Sequence, residues 1–389
     1  MTVADDDLPR FPFSARGDEV AAQYRELPPV TRVRTNTGDV AWLVTGYDAA
    51  RAVLGDARFS HSETARPGVP RQDTPTVPPE IITSMEVARS VGVRSEIMRA
   101  LGPAAVEELR PLARATAGEL LDGLVRSGPP ADLFADFVAP LPTRVACAMA
   151  GLPFEDADTL DTWGQVGTSM SVHTPEELRA SYEEYCAYLL VQTRAPRDGL
   201  LQRVHDVAVR SEIDVEQAVI LAGAMFIVAQ STVGVLAHAV LTLLRDPGLM
   251  RRLHEDPALM PSAVEEFLRY ALWVHDGIPR IATADVEVEG TPIRAGELVL
   301  LSLDIANRDP CAFAAPDRFD PARTPNPHLA FGLGHHYCPG TGFARMEMTE
   351  ALSALVERLP DARLDGLAGR LDWHSALTIR RPVRIPARW

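Results

Sequence analysis

The chain has no lysine: all 38 of its basic residues are arginine, which reads as the bias of a GC-rich, bacterial genome. It is also short of positive charge. With 53 acidic residues the formal charge is -15 at pH 7, which opposes binding to phosphate backbones and anionic lipid, so no nucleic-acid partner is expected, although a local basic patch can still receive a small acidic protein. Cysteine is scarce. Cys147, Cys186, Cys311 and Cys338 are too few and too scattered for a disulfide framework or a C-x-x-C metal knuckle, so any cysteine that does chemistry does it alone. The opening MTVADDDLPRFPFSARGDEV has neither the apolar run of a signal peptide nor the length of a membrane span. A cytoplasmic protein with no membrane association is expected. No Ser/Gly-rich linker, low-complexity block or repeat divides the chain, which points to a single domain over 1–389.

What is present is an ordinary globular composition, 46% hydrophobic and 23% charged, able to bury a core of several layers. VTRVRTNTGDVAWLVT alternates on both sides of Asn36 to Asp39 as a hairpin does, and YDAARAVLGD reads as a short helix. Residues 62–80 carry five prolines and no period, a long loop and a candidate substrate lid. From about 84 to 272 the text is mostly helical, punctuated near Pro103, Gly128 to Pro130, Pro153 and Pro196. Its most apolar piece, Val215 to Asp246, reads as one long buried central helix; polar residues interrupt every window long enough to span a bilayer. DVEVEGTPIRAGELVLLSLDIANRD returns to period two, with turns at Gly290 and Gly296. The fold class is mainly α with small β-sheets.

Near the C-terminus, FGLGHHYCPG sets Cys338 in a glycine-rich loop, and EEFLR (265–269) precedes a strand-rich turn containing Arg280. With the long helix, in this order, these pieces resemble the cytochrome P450 family of haem-thiolate enzymes, and the resemblance covers nearly the whole chain. It implies that fold, with the central helix over haem b, and makes Cys338 the axial thiolate of the haem iron. Phe331, Gly332 and Gly340 would shape the loop beneath the porphyrin. For Cys338 the alternative is a buried free thiol. The resemblance makes Glu266 and Arg269 a buried structural ion pair with Arg318 as its partner from the meander DRFDPAR, and assigns the haem propionates to Arg280, His336 and Arg94. For these last three the alternative is a solvated surface charge. Where the family often has a histidine, four residues before Arg94, this chain has Ser90.

The family's central helix carries A-G-x-D/E-T, a groove glycine followed by an acid and an alcohol that relay protons. Counted back from LLRDP, those positions are Ile227, Val228, Ala229, Gln230 and Ser231. A slip of one makes the pair Ser231 and Thr232, a slip of two Thr232 and Val233; no nearby register restores the acid. A glutamine amide cannot exchange a proton as a carboxylate does, though it can orient water or satisfy a neighbouring backbone group. Gln230, Ser231 and Thr232 are the candidate catalytic residues. Such departures resemble family members that couple aromatic natural products, among them enzymes acting on tryptophan-containing diketopiperazines. The resemblance thus implies a monomer that draws electrons from a ferredoxin-type donor and couples a small aromatic substrate, such as a cyclic dipeptide, through carbon or nitrogen. A natural-product hydroxylase is the alternative and a non-catalytic gas-binding haem protein a remote one. The pocket would be lined by 62–90, the helices from about 157 to 195, Val228 to Thr232, WVHDGIP and WHSALT, with Trp273, Ile278 and Leu377 as apolar contacts; Trp163 and Met170 are either pocket or core.

Overall fold

In the computed structural model a short helix, α1 (Gln23–Glu26), leads into the expected hairpin of β1 (Val30–Arg34) and β2 (Val40–Val44), with Val30 opposite Val44 and Gly38 in the turn at φ +86°. Only a residue without Cβ enters that left-handed region cheaply. α2 (Tyr47–Gly55) buries Tyr47, Ala49, Ala50, Val53 and Leu54, and the two-residue strand β3 (Phe59–Ser60) follows. The structure describes residues 7–13, 17–73, 93–169, 173–194, 197–212, 214–229, 231–274, 277–366, 371–374 and 377–389. Of the proline-rich loop, Ser62–Ala65 form a 3-10 turn, while 74–80, Ser90 and the rest of the expected lid lie outside the described residues.

The helical body comprises α3 (Val93–Ala100), α4 (Pro103–Ser127), α5 (Pro140–Ala150), α6 (Ala157–Gly167), α7 (Pro175–Gln192) and α8 (Leu200–Arg210), with β4 (Ala131–Asp132) between α4 and α5. Pro103 opens α4, where its missing N–H costs nothing, and Gly128 closes it. A reciprocal capping box of Thr174 and Glu177 starts α7. The apolar stretch from Val215 forms α9 (Val215–Ala229) and α10 (Ser231–Arg245) on either side of Gln230, which lies outside the described residues. Every residue from Thr232 to Leu241 is buried, as a helix apolar all round requires. α11 (Pro247–Glu255) and α12 (Met260–Tyr270) follow, α12 carrying EEFLR.

The period-two stretch yields β5 (Ile278–Ala282), β6 (Val286–Val288), β7 (Thr291–Ile293) and β8 (Leu298–Leu301), with Gly290 and Gly296 at positive φ in the turns. The alternation expected through LSLDIANRD stops at Leu301. Ser302 Oγ and the Ile305 N–H both donate to Asp304 Oδ1, at 3.0 and 2.9 Å, and this local bonding replaces the ladder with the one-turn helix α13 (Leu303–Ala306). α14 (Thr341–Arg358), β9 (Arg363–Leu364) and β10 (Pro386–Arg388) complete the chain.

The main sheet has the order β1-β2-β8-β5-β3. β8 lies parallel to β2 and antiparallel to β5 and is buried along its whole length, which explains why LVLL is apolar on both faces. Smaller sheets are β4-β10-β9 and β6-β7. α14 packs along α4 and also meets α10 and α12, so the cysteine loop that precedes it runs directly into the helical core. Among the described residues no single helix is long and apolar enough to cross a membrane.

Candidate haem-thiolate site

The loop before α14 is fixed by backbone geometry. Gly332 and Gly334 stand at φ +71° and +72°, and a Cβ on Gly334 would approach the Leu54 carbonyl oxygen to 2.8 Å. The Cys338 N–H donates to Phe331 O at 3.0 Å, the Gly332 N–H to Leu329 O at 2.8 Å, and Gly334–His336 form a 3-10 turn. Burial raises the pKa of the half-buried Cys338 thiol, while the Gly340 N–H and the Arg345 charge favour the thiolate. These groups would moderate an anionic sulfur bound to a metal. Among the described residues no three His, Cys, Asp or Glu side chains could hold a metal ion together. The chain thus offers one soft ligand, the donor set suited to an iron whose other ligands belong to a macrocycle.

Arg280 on β5 is 5% exposed, and among the described residues its one hydrogen bond is from Nη1 to the Pro279 carbonyl. Loss of water pulls its pKa down to about 10, with no carboxylate opposing the effect. A buried guanidinium without an anion is costly, and a haem propionate is an anion that fits. β3 pairs Ser60 with Ile281, so His61 follows directly on the strand pair next to Arg280, and its ring lies 6.0 Å from that of His336. Sequence reading missed His61; only the strand register reveals it. Arg94, by contrast, is exposed on the first turn of α3 and makes no ion pair among the described residues, so the structure does not join it to Arg280 or His336.

Glu266 and Arg269 are both 0% exposed and paired at 2.7 Å, as expected. Their partner from the meander is not Arg318. The Arg323 Nε donates to both Glu266 oxygens at 3.0 Å, whereas Arg318 is exposed and contributes its backbone carbonyl to Arg269. The chain folds back past Arg318 so that Asp320 N–H and Asn326 Nδ2 also reach Glu266. Arg269 in turn holds the Asn307 carbonyl, while Asn307 Oδ1 accepts the Leu329 N–H at 2.7 Å, linking the ion pair to the cysteine loop. Arg323→Ala should cost about 1.5–3 kcal/mol, the range for a hydrogen bond to a charged group. Arg318→Ala should stay within about 0.5 kcal/mol. Urea midpoints of the two variants check the assignment.

A second network also escaped sequence reading. Glu265 takes Arg345 Nε and Nη2 at 2.6 and 2.8 Å and His328 Nε2 at 3.0 Å. The Arg345 guanidinium lies 4.7 Å from the Phe331 ring centre, so α12, the loop and α14 are tied at one point. The Ala330 N–H donates to His328 Nδ1, which leaves Nε2 to face Glu265.

Across the core, Ser231 is half-buried and Thr232 buried at the start of α10. Gln230 lies outside the described residues, as does Met170. Bridges Val274–Ile379 and Ser169–Leu377, with the Arg380 N–H donating to Trp273 O, draw Trp273, Leu377 and the end of α6 together. At Gly234 a Cβ would meet Ile379 Cγ2 at 2.5 Å, so α10 itself makes room for this convergence. Trp163 packs instead against the rings of Tyr185 and Tyr188 on α7.

The profile of the Cytochrome P450 family matches residues 193–360. Mycocyclosin synthase of Mycobacterium tuberculosis is 38% identical over 394 residues, covering 98% of this chain and 99% of its own. The chain belongs to the cytochrome P450 family. Mycinamicin IV hydroxylase/epoxidase of Micromonospora griseorubida is also 38% identical, over 97% of this P450 and 98% of its own length. The solved structure of cytochrome P450mel 107F1, with biaryl coupling reactivity, superposes with a TM-score of 0.87 at 31% identity, covering 98% and 99% of the two chains. This P450 is therefore an oxidoreductase of bacterial natural-product metabolism, with haem iron as cofactor and a redox partner supplying electrons.

Proposed function

We propose that this P450 couples an aromatic substrate oxidatively through a C–C or C–N bond, with tryptophan-containing diketopiperazines as the substrate class. The observation that carries this reading is the central-helix sequence Ile227-Val228-Ala229-Gln230-Ser231, in which an amide stands at the family's acid position and valine at its groove glycine. Similarity to mycocyclosin synthase and to a P450 with biaryl coupling reactivity supports it. Equal identity to Mycinamicin IV hydroxylase/epoxidase favours the second reading, a hydroxylase.

In this reading Cys338 holds the iron and the Gly340 N–H and Arg345 temper the sulfur's charge. Arg280, His336 and His61 hold the propionates beside β5, while Arg94, exposed on α3, lies apart from them. Haem bound there supplies one-electron oxidation, driven by dioxygen and two electrons from a ferredoxin-type donor. The substrate loses two hydrogens, and with two further protons both oxygen atoms leave as water. Trp273 and Leu377 press the rings together, and Gln230, with Ser231 and Thr232, orients water rather than titrating. The enzyme acts as a cytoplasmic monomer of one domain.

Titration of the haem-loaded enzyme with a panel of cyclic dipeptides and other metabolites tests the substrate class through the Soret band. Tryptophan-containing cyclic dipeptides should shift it at low concentration; a response to non-aromatic metabolites alone would reject the class. Gln230→Glu restores a titratable acid and should move product toward hydroxylation or release peroxide. Unchanged product ratio and peroxide yield would make Gln230 purely structural.

A further inference from the structure

The far half of α10, the end of α12 and the meander enclose a cavity of about 450 Å³ that the haem site leaves unused. Its walls include Asp18, His238, Arg308 and Arg318, but not Cys338, Arg280, His336, Trp273 or Leu377. His238 lies two helical turns beyond Ser231, about 10 Å further along the axis of α10.

Two buried polar atoms at this cavity lack partners among the described residues. His238 is 5% exposed and its Nε2 makes no hydrogen bond; Arg308, with a side chain 7% exposed, leaves Nε without an acceptor. The rest of the Arg308 guanidinium is committed. Nη2 donates to the Tyr270 carbonyl at 2.6 Å, Nη1 donates to Asp317 at 3.1 Å, and the group lies 3.6 Å from the Tyr270 ring centre, so Nε is held in place. Burial, with Arg380 and Arg308 nearby, keeps the His238 imidazole neutral. A buried donor without an acceptor is costly, and a ligand or water that completes it removes the cost.

The charges around the cavity decide the ligand. Its acids are engaged: Asp18 pairs with Arg245, and Asp246 Oδ1 caps α11 by accepting the Leu249 N–H. Arg318 is exposed and its side chain makes no ion pair among the described residues. The uncommitted groups are therefore donors, which suits an anion. The opposite wall is aromatic: the ring centres of Phe267 and Phe319 are 4.5 Å apart, and that of Tyr270 is 5.6 Å from Phe319. An apolar wall with a few fixed polar atoms is the usual make-up of a small-molecule site of this volume.

We infer that this cavity is a second small-molecule site, taking an aromatic carboxylate whose oxygens accept from Arg308 Nε and His238 Nε2, with its ring against Phe319 and Arg318 at the rim. The neutral imidazole donates in the tautomer that carries its proton on Nε2. No bond is made or broken there, and the site is independent of whether the haem couples or hydroxylates.

Fluorine NMR of 4-fluorobenzoate tests this on holoenzyme whose iron and haem pocket are occupied by 4-phenylimidazole. Saturable binding should appear at millimolar concentration or below. The amide 4-fluorobenzamide, similar in shape but uncharged, should bind about 10-fold more weakly, as loss of a charge-assisted hydrogen bond implies. Arg308→Gln should weaken 4-fluorobenzoate by a similar factor. Thr242→Phe, at a half-buried position lining the cavity, should abolish binding by filling the space. The ferrous carbonyl spectrum of each variant shows that its haem site stands. Absence of saturable binding, equal affinity for the amide, or undiminished binding in either variant overturns the inference. Should Arg308→Gln lose that spectrum, Thr242→Phe and the amide comparison decide.

Discussion

Cys338→Ser should yield a folded protein whose ferrous carbonyl complex has lost the strongly red-shifted Soret band. The loop does not depend on the sulfur for its shape: the backbone bond from residue 338 to Phe331 O survives, and Gly332 and Gly334 keep their turns. What disappears is the donor, since a neutral hydroxyl binds ferrous iron far more weakly than a thiolate. Cysteine-to-serine changes at the other three positions serve as controls. Cys147 and Cys186 are buried thiols whose pKa burial raises, Cys147 to about 12, and Cys311 is exposed beside Asp309. Each should leave the spectrum unchanged. A persistent red-shifted band in Cys338→Ser would reassign the ligand.

Glu266→Ala should destabilise the protein by about 3–5 kcal/mol, the cost of leaving a buried charge without its partner. That is a large share of an ordinary domain's net stability of about 5–15 kcal/mol. Arg269, 0% exposed, would keep only backbone carbonyls of Asn307, Pro316 and Arg318, and Arg323 would lose the same carboxylate. Because Asn307 connects Arg269 to Leu329 at the head of the cysteine loop, haem content should fall together with stability. Denaturation midpoints and haem-to-protein ratios measure both effects; near-normal values would show that the pair does not anchor the loop.

These anchors were legible in the sequence to different degrees. The cysteine loop, the pair at Glu266 and Arg269, and the turn bearing Arg280 were singled out by their resemblance to the cytochrome P450 family, because an i,i+3 acid–base step or a period-two stretch alone carries no such meaning. The choice between Arg318 and Arg323 was not, because both sit in an irregular meander where no period fixes which guanidinium turns inward; the backbone reversal at 316–323 decides it. Glu265, His328 and Arg345 are far apart in sequence and meet only when α12 and α14 pack. His61 depends on strand register and the meeting of His238 with Arg308 on helix packing, so neither could be singled out from residue type. The end of the alternating stretch at Leu301 was missed because Asp304 competes through side-chain bonding, which hydrophobic period does not report.

Coupling and hydroxylation share every early step and separate once the substrate radical has formed. A coupler needs a second ring near enough for capture to outrun oxygen return, a proximity effect that the proposed pocket residues Trp273 and Leu377 would set. Turnover under heavy-isotope dioxygen with a ferredoxin-type electron supply, read by product mass, therefore tests the central claim most directly. A main product two hydrogens lighter than its precursors and free of label is the predicted result; a main product carrying one labelled oxygen atom would contradict coupling and establish the hydroxylase instead.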